Sequence, residues 1–204
     1  MIVSFEEIKR EFPLKGIIVI GSHDAEEYPQ YVAAGIEKMI YFEPVKSNYN
    51  QLISKLPQSE NIRTFNIALG NNTGERKMYI ETRNNGMSCS LLEPLKHLEM
   101  YPWITFDGLE TVWINKLDNI EFEREDYNIL NIDVQGFELE VLRGSENTLP
   151  HIDIIFTEVN AVEMYRGCAL VSEIDEFLKD FKFVRAVDNI NNNNRWGEAL
   201  YLRQ

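Results

Sequence analysis

Short apolar runs alternate with amphipathic segments along this chain, and few folds accommodate that pattern. Residues 16–21, Gly-Ile-Ile-Val-Ile-Gly, contain no charged position. A continuous β-branched run of this length is typical of a strand buried on both faces of a parallel sheet. Similar runs recur with helical spacing between most of them, at 38–43, 62–69, 127–133 and 152–158. Strands separated by helices predict an α/β fold with a doubly wound, Rossmann-like sheet.

The C-terminal segment departs from this alternation. Residues 183–187 and 198–202 are predicted strands, and only an asparagine-rich stretch at 189–195 separates them. Such a stretch can form a hairpin turn, whereas a parallel crossover needs a dozen residues or more. The last strand is therefore predicted to run antiparallel to the rest of the sheet.

A second departure predicts a hairpin and loop insertion at about 75–115. Its two ends alternate between polar and apolar positions, as hairpin strands do. The connection between them, residues 82–108, is long for a compact domain and is therefore expected to be functional. Tyr101, Trp103 and Phe106 in this connection argue against disorder. We predict that 82–108 is a substrate lid, with a local aromatic core as the alternative.

Length and charge limit the remaining possibilities. The 204 residues fit one domain, residues 1–204, and 33 acidic against 20 basic side chains give a formal net charge of −13. That charge repels nucleic acid and anionic lipid. The sequence has no signal-peptide pattern, no run long enough to span a membrane, and no metal or redox spacing around Cys89 and Cys168. We expect a cytoplasmic monomer or homodimer with no nucleic-acid partner, membrane span or bound metal.

Ligands of doubly wound sheets bind at the carboxyl ends of the strands, so the residues just after each strand are the candidates. Gly21 ends the first strand, but no second and third glycine follow at dinucleotide-binding spacing. Glu43 ends the second strand, where an acidic side chain accepts hydrogen bonds from ribose hydroxyls; a helix-capping acid is the alternative. Asp133 ends a third strand, and Gly136 allows a tight turn after it.

The chain resembles the FkbM family of S-adenosylmethionine-dependent methyltransferases over roughly residues 16–202. The resemblance is carried, in chain order, by Phe42-Glu43-Pro44, Asn66-Ile-Ala-Leu-Gly70, Ser88-Cys-Ser90-Leu-Leu, Asn131-Ile-Asp-Val-Gln-Gly-Phe-Glu138 and Thr157-Glu-Val-Asn160. It implies a seven-strand methyltransferase sheet with the last strand antiparallel. It also implies methyl transfer from S-adenosylmethionine to a hydroxyl of a sugar or secondary metabolite.

The resemblance assigns roles to residues at the strand ends. Asp133 would be a catalytic base or a positioning group, and Glu158 is the second candidate base. The acceptor, a small molecule or a glycan, would contact Ser88, Ser90, Tyr101 and Trp103 of the lid. The cofactor would contact Gly21, Ser22, His23, Glu43, Pro44, Ala68, Leu69, Asp133 and Val134.

Two positions depart from the pattern common to such methyltransferases. Val19 stands where an acid usually precedes the first glycine, and Ala25 stands in place of a second glycine. Ala25 is expected to be tolerated only with a negative φ. His23 or Asp24 is expected to supply polar contacts in place of the missing acid.

Two other functions stay open. Asp133, Glu158 and Asn160 could hold Mg²⁺ or Ca²⁺, as in a metal-dependent O-methyltransferase. Glu158 and Asn160 are two residues apart and are expected to point to opposite faces of their strand, which disfavours this alternative. The altered first loop could instead mark a methyltransferase fold kept as a non-enzymatic binding module.

Overall fold

The computed structural model describes residues 2–190, 193 and 195–204. The helices are α1 (Phe5–Ile8), α2 (Tyr28–Ala33), α3 (Lys46–Lys55), α4 (Lys96–Met100), α5 (Glu138–Arg143) and α6 (Val171–Lys179). The strands are β1 (Gly16–Ile20), β2 (Met39–Phe42), β3 (Ile62–Phe65), β4 (Ala68–Leu69), β5 (Gly74–Glu81), β6 (Phe106–Asn115), β7 (Tyr127–Ile132), β8 (Ile154–Asn160), β9 (Phe183–Asp188) and β10 (Trp196–Arg203).

Seven strands form the main sheet in the order β3-β2-β1-β7-β8-β10-β9. β1 lies between β2 and β7 and is parallel to both, with Ile18 in register with Ile40 and Leu130. β10 is antiparallel to both of its neighbours, β8 and β9. The prediction of a doubly wound sheet whose last strand runs antiparallel is confirmed.

β1 is apolar along its whole length because helices cover both faces of the sheet. Ile18 belongs to the core under α5 and α6, whereas Ile17 belongs to the core under α2 and α3. Both side chains are fully buried, and burial of one such side chain stabilises the fold by about 1.5–3 kcal/mol. With both faces covered, the carboxyl edge of the parallel strands is the natural place for a ligand.

The predicted strand over 62–69 is wrong in its second half. β3 ends at Phe65, and the side-chain amide of Asn66 donates to the carbonyl oxygens of Glu43 and Pro44 at 2.8 and 2.9 Å. β4 then pairs in parallel with β6, in a separate three-stranded sheet of order β4-β6-β5. An apolar run shows that a segment is buried, but it does not show which sheet the segment joins.

The insertion at about 75–115 is a hairpin, as predicted. β5 and β6 pair antiparallel over most of their length, from Gly74 opposite Ile114 to Glu81 opposite Phe106. With β4 they surround a small core of their own, which includes Met78, Val112 and Phe137, the last from the start of α5. This second core attaches the insertion to the main domain.

The connection within the insertion differs from the prediction. It ends at residue 105, because β6 begins earlier than its alternating pattern indicates, and it contains α4. A bridge between Ser90 and Tyr79 and another between Pro94 and Tyr165 tie it to both the hairpin and the main domain. The connection is thus a packed part of the fold and not a plain loop.

The hairpin predicted at the C-terminus is formed by β9 and β10. Its asparagine-rich turn, predicted at 189–195, includes residues 191, 192 and 194, which lie outside the described residues. Within the part of the chain that the structure describes, no helix is both long and apolar enough to cross a membrane.

Candidate active site

Two adjoining cavities open at the carboxyl edge of the main sheet. The first, of about 110 Å³, lies over the ends of β1, β2 and β4, and we name it the cofactor cavity. The second, of about 510 Å³, lies over β7, β8 and β10 beneath the insertion, and we name it the acceptor cavity. Residues from both sides form a shared wall between them: Glu27, Met87, Asn131, Asp133 and Gln135.

All nine residues predicted to contact the cofactor line the cofactor cavity: Gly21, Ser22, His23, Glu43, Pro44, Ala68, Leu69, Asp133 and Val134. Ala68 and Leu69 reach it from the second sheet, although the sequence predicted them in the main one. The structure therefore brings the predicted set together, and the role of each residue stays a prediction.

Glu43 is the buried acid of the cofactor cavity. Its carboxylate accepts hydrogen bonds from the backbone N–H groups of His23 and Val45, at 2.9 and 2.8 Å. Val45 precedes the first residue of α3, so the helix-start alternative is also realised in part. Burial raises the pKa of Glu43 to about 7. Each carboxylate oxygen retains a second lone pair, so the carboxylate can accept hydrogen bonds from the hydroxyl groups of a ribose.

The loop after β1 is held in an unusual backbone conformation. Gly21 has φ +79°, and a Cβ at this position would lie 1.7 Å from the carbonyl oxygen of Asp133. Ala25 has φ +62° and is buried, so the expectation of a negative φ is wrong. The Ala25 N–H donates to the carbonyl of Ser22, which closes the turn. A left-handed conformation costs a residue with a Cβ about 1–2 kcal/mol, which the surrounding packing must offset.

The two polar residues of this loop have different partners. His23 donates its backbone N–H to Glu43, and its ring Nε2 lies 2.7 Å from the carbonyl oxygen of Asn85 in the insertion. Asp24 forms an ion pair with Lys55 of α3 and lines neither cavity. Of the two residues expected to replace the missing acid, only His23 is at the site.

A glutamine organises the junction of the two cavities. The Gln135 side chain donates to the carboxylates of Asp133 and Glu158, at 2.8 and 2.9 Å, and accepts from the Tyr165 hydroxyl at 2.8 Å. Its backbone has φ +55°, in the tight turn with Gly136. Gln135 lies in the Asn131–Glu138 motif, two residues after Asp133, but no role is predicted for it from the sequence.

The acids at this junction hold their protons more tightly than isolated carboxyl groups. Asp133 opens on to both cavities, yet protein surrounds it closely enough that desolvation raises its pKa. Burial and then the charges of Asp133 and Glu138 raise the pKa of Glu158 well above its usual range. Burial raises the pKa of Glu138 to about 7, and this side chain accepts from the N–H groups of Val134 and Gly136. Glu138 thus shapes the turn, while Asp133 and Glu158 face the cavities.

Three of the four residues predicted to contact the acceptor line the acceptor cavity: Ser88, Tyr101 and Trp103. Ser90 does not, because it is fully buried and its hydroxyl donates to the carbonyl oxygen of Gln135 at 2.7 Å. Tyr101 also packs against a local core that contains Met164 and Tyr165, so the local-core alternative holds for it, and its role in a lid stays a prediction. Residues that the sequence analysis missed here include Glu27, His97, Phe156, Trp196 and Glu198.

The geometry also revises the metal alternative. Glu158 and Asn160 both line the acceptor cavity, so the expectation that they face opposite sides is wrong: residues two apart in a strand share a face. Carboxylate oxygens of Asp133, Glu158 and Glu138 lie within 4.8 Å of one another. Since Glu138 is engaged by the turn, the group has two cavity-facing carboxylates.

Comparison with known proteins agrees with this architecture. The 2-O-methyltransferase NoeI of Sinorhizobium fredii is 26% identical over 182 residues, which cover 85% of this chain and 75% of that protein. Among solved structures, the magnesium protoporphyrin IX methyltransferase of Synechocystis PCC 6803 with bound SAM superposes with a TM-score of 0.54 at 8% identity, covering 97% of this chain and 74% of that one. A protein of the NADB-Rossmann superfamily from Streptococcus agalactiae gives 0.54 at 14% identity, covering 100% and 69%. The methyltransferase FkbM domain matches residues 20–185, most of the chain, and the protein therefore belongs to the FkbM family of S-adenosylmethionine-dependent methyltransferases.

Proposed function

We propose that this protein transfers a methyl group from S-adenosylmethionine to a hydroxyl of a sugar or a related small molecule. The observation that carries the proposal is the meeting of two cavities at Asp133. One cavity holds a buried acid suited to a ribose, and the other is larger and has aromatic walls. The 2-O-methyltransferase relative supports a hydroxyl as the group that is methylated.

The residues of the chain divide the work between binding and proton transfer. When bound, S-adenosylmethionine supplies a methyl group activated for displacement. Glu43 accepts hydrogen bonds from the cofactor's hydroxyls, and the loop at Gly21 brings backbone close to it. Asp133 takes the proton of the acceptor hydroxyl or aligns that hydroxyl, and a general base contributes about 10²–10⁴-fold to rate. Glu158, on the acceptor side, is the second candidate base.

Gln135 would act as a positioning residue in this scheme. Its side-chain amide donates one hydrogen bond to the carboxylate of Asp133 and one to that of Glu158, and these hold the two groups in place. The Tyr165 hydroxyl donates to the amide oxygen and thereby orients the glutamine. The connection at 82–105, with Ser88, Tyr101 and Trp103, would cover the acceptor as a lid. Aromatic faces pack well against sugar rings, which supports that assignment.

The test combines binding with turnover. Calorimetric titration with S-adenosylhomocysteine should give a saturable, one-to-one isotherm, and radiolabelled S-adenosylmethionine should transfer label to a sugar from a panel of mono- and oligosaccharides. Asp133→Asn should slow transfer about 10²–10⁴-fold, whereas S-adenosylhomocysteine should still bind. If the folded protein binds neither S-adenosylmethionine nor its product, the non-enzymatic binding module becomes the better interpretation.

A metal-dependent reaction is the second candidate, supported by the close approach of Asp133 and Glu158 carboxylates. Hard cations prefer such oxygen ligands. Transfer that stops with EDTA and returns with Mg²⁺ would select it over the metal-free reaction. A cytoplasmic location, the absence of a nucleic-acid partner and a monomeric or homodimeric state remain predictions from the sequence.

A further inference from the structure

The acceptor cavity has a strongly one-sided set of charges. Glu27, Asp133, Glu158 and Glu198 all line it. Among the described residues that line either cavity there is no lysine or arginine. His97 is the basic side chain of the acceptor cavity, and burial lowers its pKa, so it is neutral at pH 7. Burial raises the pKa of Asp133 and of Glu158, and no lysine or arginine in these walls counteracts that rise, so a ligand cation would take the place of a bound proton.

Two buried residues of the same cavity have side-chain polar atoms without a hydrogen-bond partner among the described residues. Asn160 is 1% exposed, and neither its amide oxygen nor its amide nitrogen is bonded. The Nδ1 of His97, a residue 5% exposed, is also unbonded. Buried polar groups are nearly always paired, so groups left without partners at a cavity wall point to a ligand that completes them.

The cofactor does not account for these features. Glu27 and Asp133 lie in the shared wall and can compensate the positive charge of S-adenosylmethionine. Glu158 and Asn160 line only the acceptor cavity, and the unbonded side-chain amide is that of Asn160. The ligand that completes Asn160 is therefore the acceptor itself.

We propose that the acceptor is a polyhydroxyl ring that carries a protonated amine, such as an aminosugar or aminocyclitol. This inference rests on the proposed function and names its substrate class. The ammonium group binds between Glu158 and Glu198, which β8 and β10 hold opposite each other in register. Ring hydroxyls bond to Asn160 and His97, and the aromatic wall of Tyr101, Trp103 and Trp196 packs on the ring.

The same charges disfavour other glycan classes. A nucleotide sugar or a lipid-linked pyrophosphate brings two or more negative charges, and enzymes that bind such groups supply arginine, lysine or a helix N-terminus for them. The described walls of the acceptor cavity supply carboxylates instead. A diphosphate in this cavity would face carboxyl groups and no compensating cation, so such acceptors are disfavoured.

The test measures binding, because Glu158 also belongs to the proposed reaction. The protein is saturated with S-adenosylhomocysteine and titrated, by ligand-observed NMR, with 2-, 3-, 4- and 6-amino-deoxyglucose, their N-acetyl derivatives and glucose. At least one amine should bind 10-fold or more tightly than glucose, and N-acetylation should remove the gain. Glu198→Gln and Glu158→Gln should each reduce the preference at least fivefold. Glu99→Gln, on the exposed side of α4, is the matched control and should leave it unchanged.

Each other outcome overturns the inference. Equal or tighter binding of glucose, or no binding of any amine up to its solubility, excludes a cationic acceptor. If the protein binds Mg²⁺, loses that binding in Glu158→Gln and shows no preference for amines, the carboxylates belong to a metal site instead. Saturation with S-adenosylhomocysteine is measured first and separately, so a failure of the proposed function is recognised before the acceptors are compared.

Discussion

The cofactor cavity and the acceptor cavity share a wall, but they are built from different parts of the chain. The cofactor cavity is made by tight turns after β1, β2 and β7, where backbone atoms and one buried acid approach the ligand. The acceptor cavity is made by side chains from distant segments, among them Tyr101 of the insertion and Trp196 of β10, whose indole N–H donates to the Tyr101 hydroxyl at 2.8 Å. The first site depends on local backbone geometry, and the second on long-range packing.

The largest effect is expected where the two cavities meet. Asp133→Asn should lower kcat about 10²–10⁴-fold if Asp133 is the base, because the amide cannot take a proton. Binding of S-adenosylhomocysteine, measured by calorimetry, should change far less than kcat. A variant that retains at least a third of wild-type kcat would show that Asp133 is not the base.

Gly21→Ala should damage the cofactor cavity and spare the acceptor cavity. The added Cβ would meet the Asp133 carbonyl, and alanine is strained at φ +79°. The loop must move, and we expect about 100-fold weaker binding of S-adenosylhomocysteine, or ~2.7 kcal/mol. Calorimetry measures the affinity. Gly167→Ala is the matched control, since Gly167 also has positive φ but has nothing within 4 Å of the added Cβ.

Glu43→Gln should weaken cofactor binding about 10-fold at pH 8, the scale of one hydrogen bond to a charged group. In the wild type, the pKa of about 7 means that Glu43 is protonated at pH 6 and ionised at pH 8. Affinity for S-adenosylhomocysteine should therefore rise with pH across that range, and the variant should lose this rise. A wild-type affinity that does not change with pH would show that the Glu43 carboxylate does not bind the ribose.

The raised pKa of Glu43 has a second, opposite consequence for stability. The native state binds this proton more tightly than the unfolded chain does, so the stabilisation is present at pH 4.5 and is lost as pH rises through about 7. Urea unfolding at several pH values should show a smaller loss of stability across this range in Glu43→Gln. An equal loss would mean that other carboxyl groups with raised pKa, such as Asp133, Glu138 and Glu158, carry the whole dependence.

Gln135→Met should reduce kcat about 10-fold, because a side chain of similar volume no longer holds Asp133 and Glu158 together. The readout specific to positioning is the pH profile of kcat: loss of two bonds to the carboxylates should move its acidic limb to higher pH. Equal reduction at every pH would indicate a merely structural role.

Trp103→Ala should give the smallest effect and should be confined to the acceptor cavity. Trp103 is 67% exposed, so its loss leaves the fold intact. KM for the acceptor should rise about threefold, a smaller change than the loss of a fully buried aromatic contact would cause. Affinity for S-adenosylhomocysteine should not change. Leu109→Ala, an exposed apolar residue on β6 away from both cavities, serves as the control.

The difference between the cavities also explains what the sequence could predict. Gly21, Glu43 and Asp133 each follow an apolar run, so strand ends alone place them at one edge of the sheet. The φ of Ala25 depends on packing that no residue pattern expresses, and its sign was predicted wrongly. Glu198 lies opposite Glu158 only because β10 inserts antiparallel between β8 and β9.

The acceptor cavity was predicted less well for the same reason. Tyr101 and Trp103 stand out as aromatics in a long connection, and both line the cavity. Ser90 occurs in a family motif, but its hydroxyl supports the Gln135 turn instead of facing the cavity. No sequence pattern around His97 or Trp196 predicts that they line the cavity, because their position depends on how the insertion packs against the main domain.

The shared wall makes the two ligands thermodynamically dependent on each other. Asp133 faces both cavities, so any charge that one ligand places beside it changes the field felt by the other. If the acceptor alters cofactor affinity by some factor, the cofactor must alter acceptor affinity by the same factor. For an acceptor that carries an ammonium group, the sulfonium of S-adenosylmethionine is a like charge, so the two substrates should weaken each other's binding. Methyl transfer leaves S-adenosylhomocysteine without the sulfonium charge, and this repulsion is then relieved.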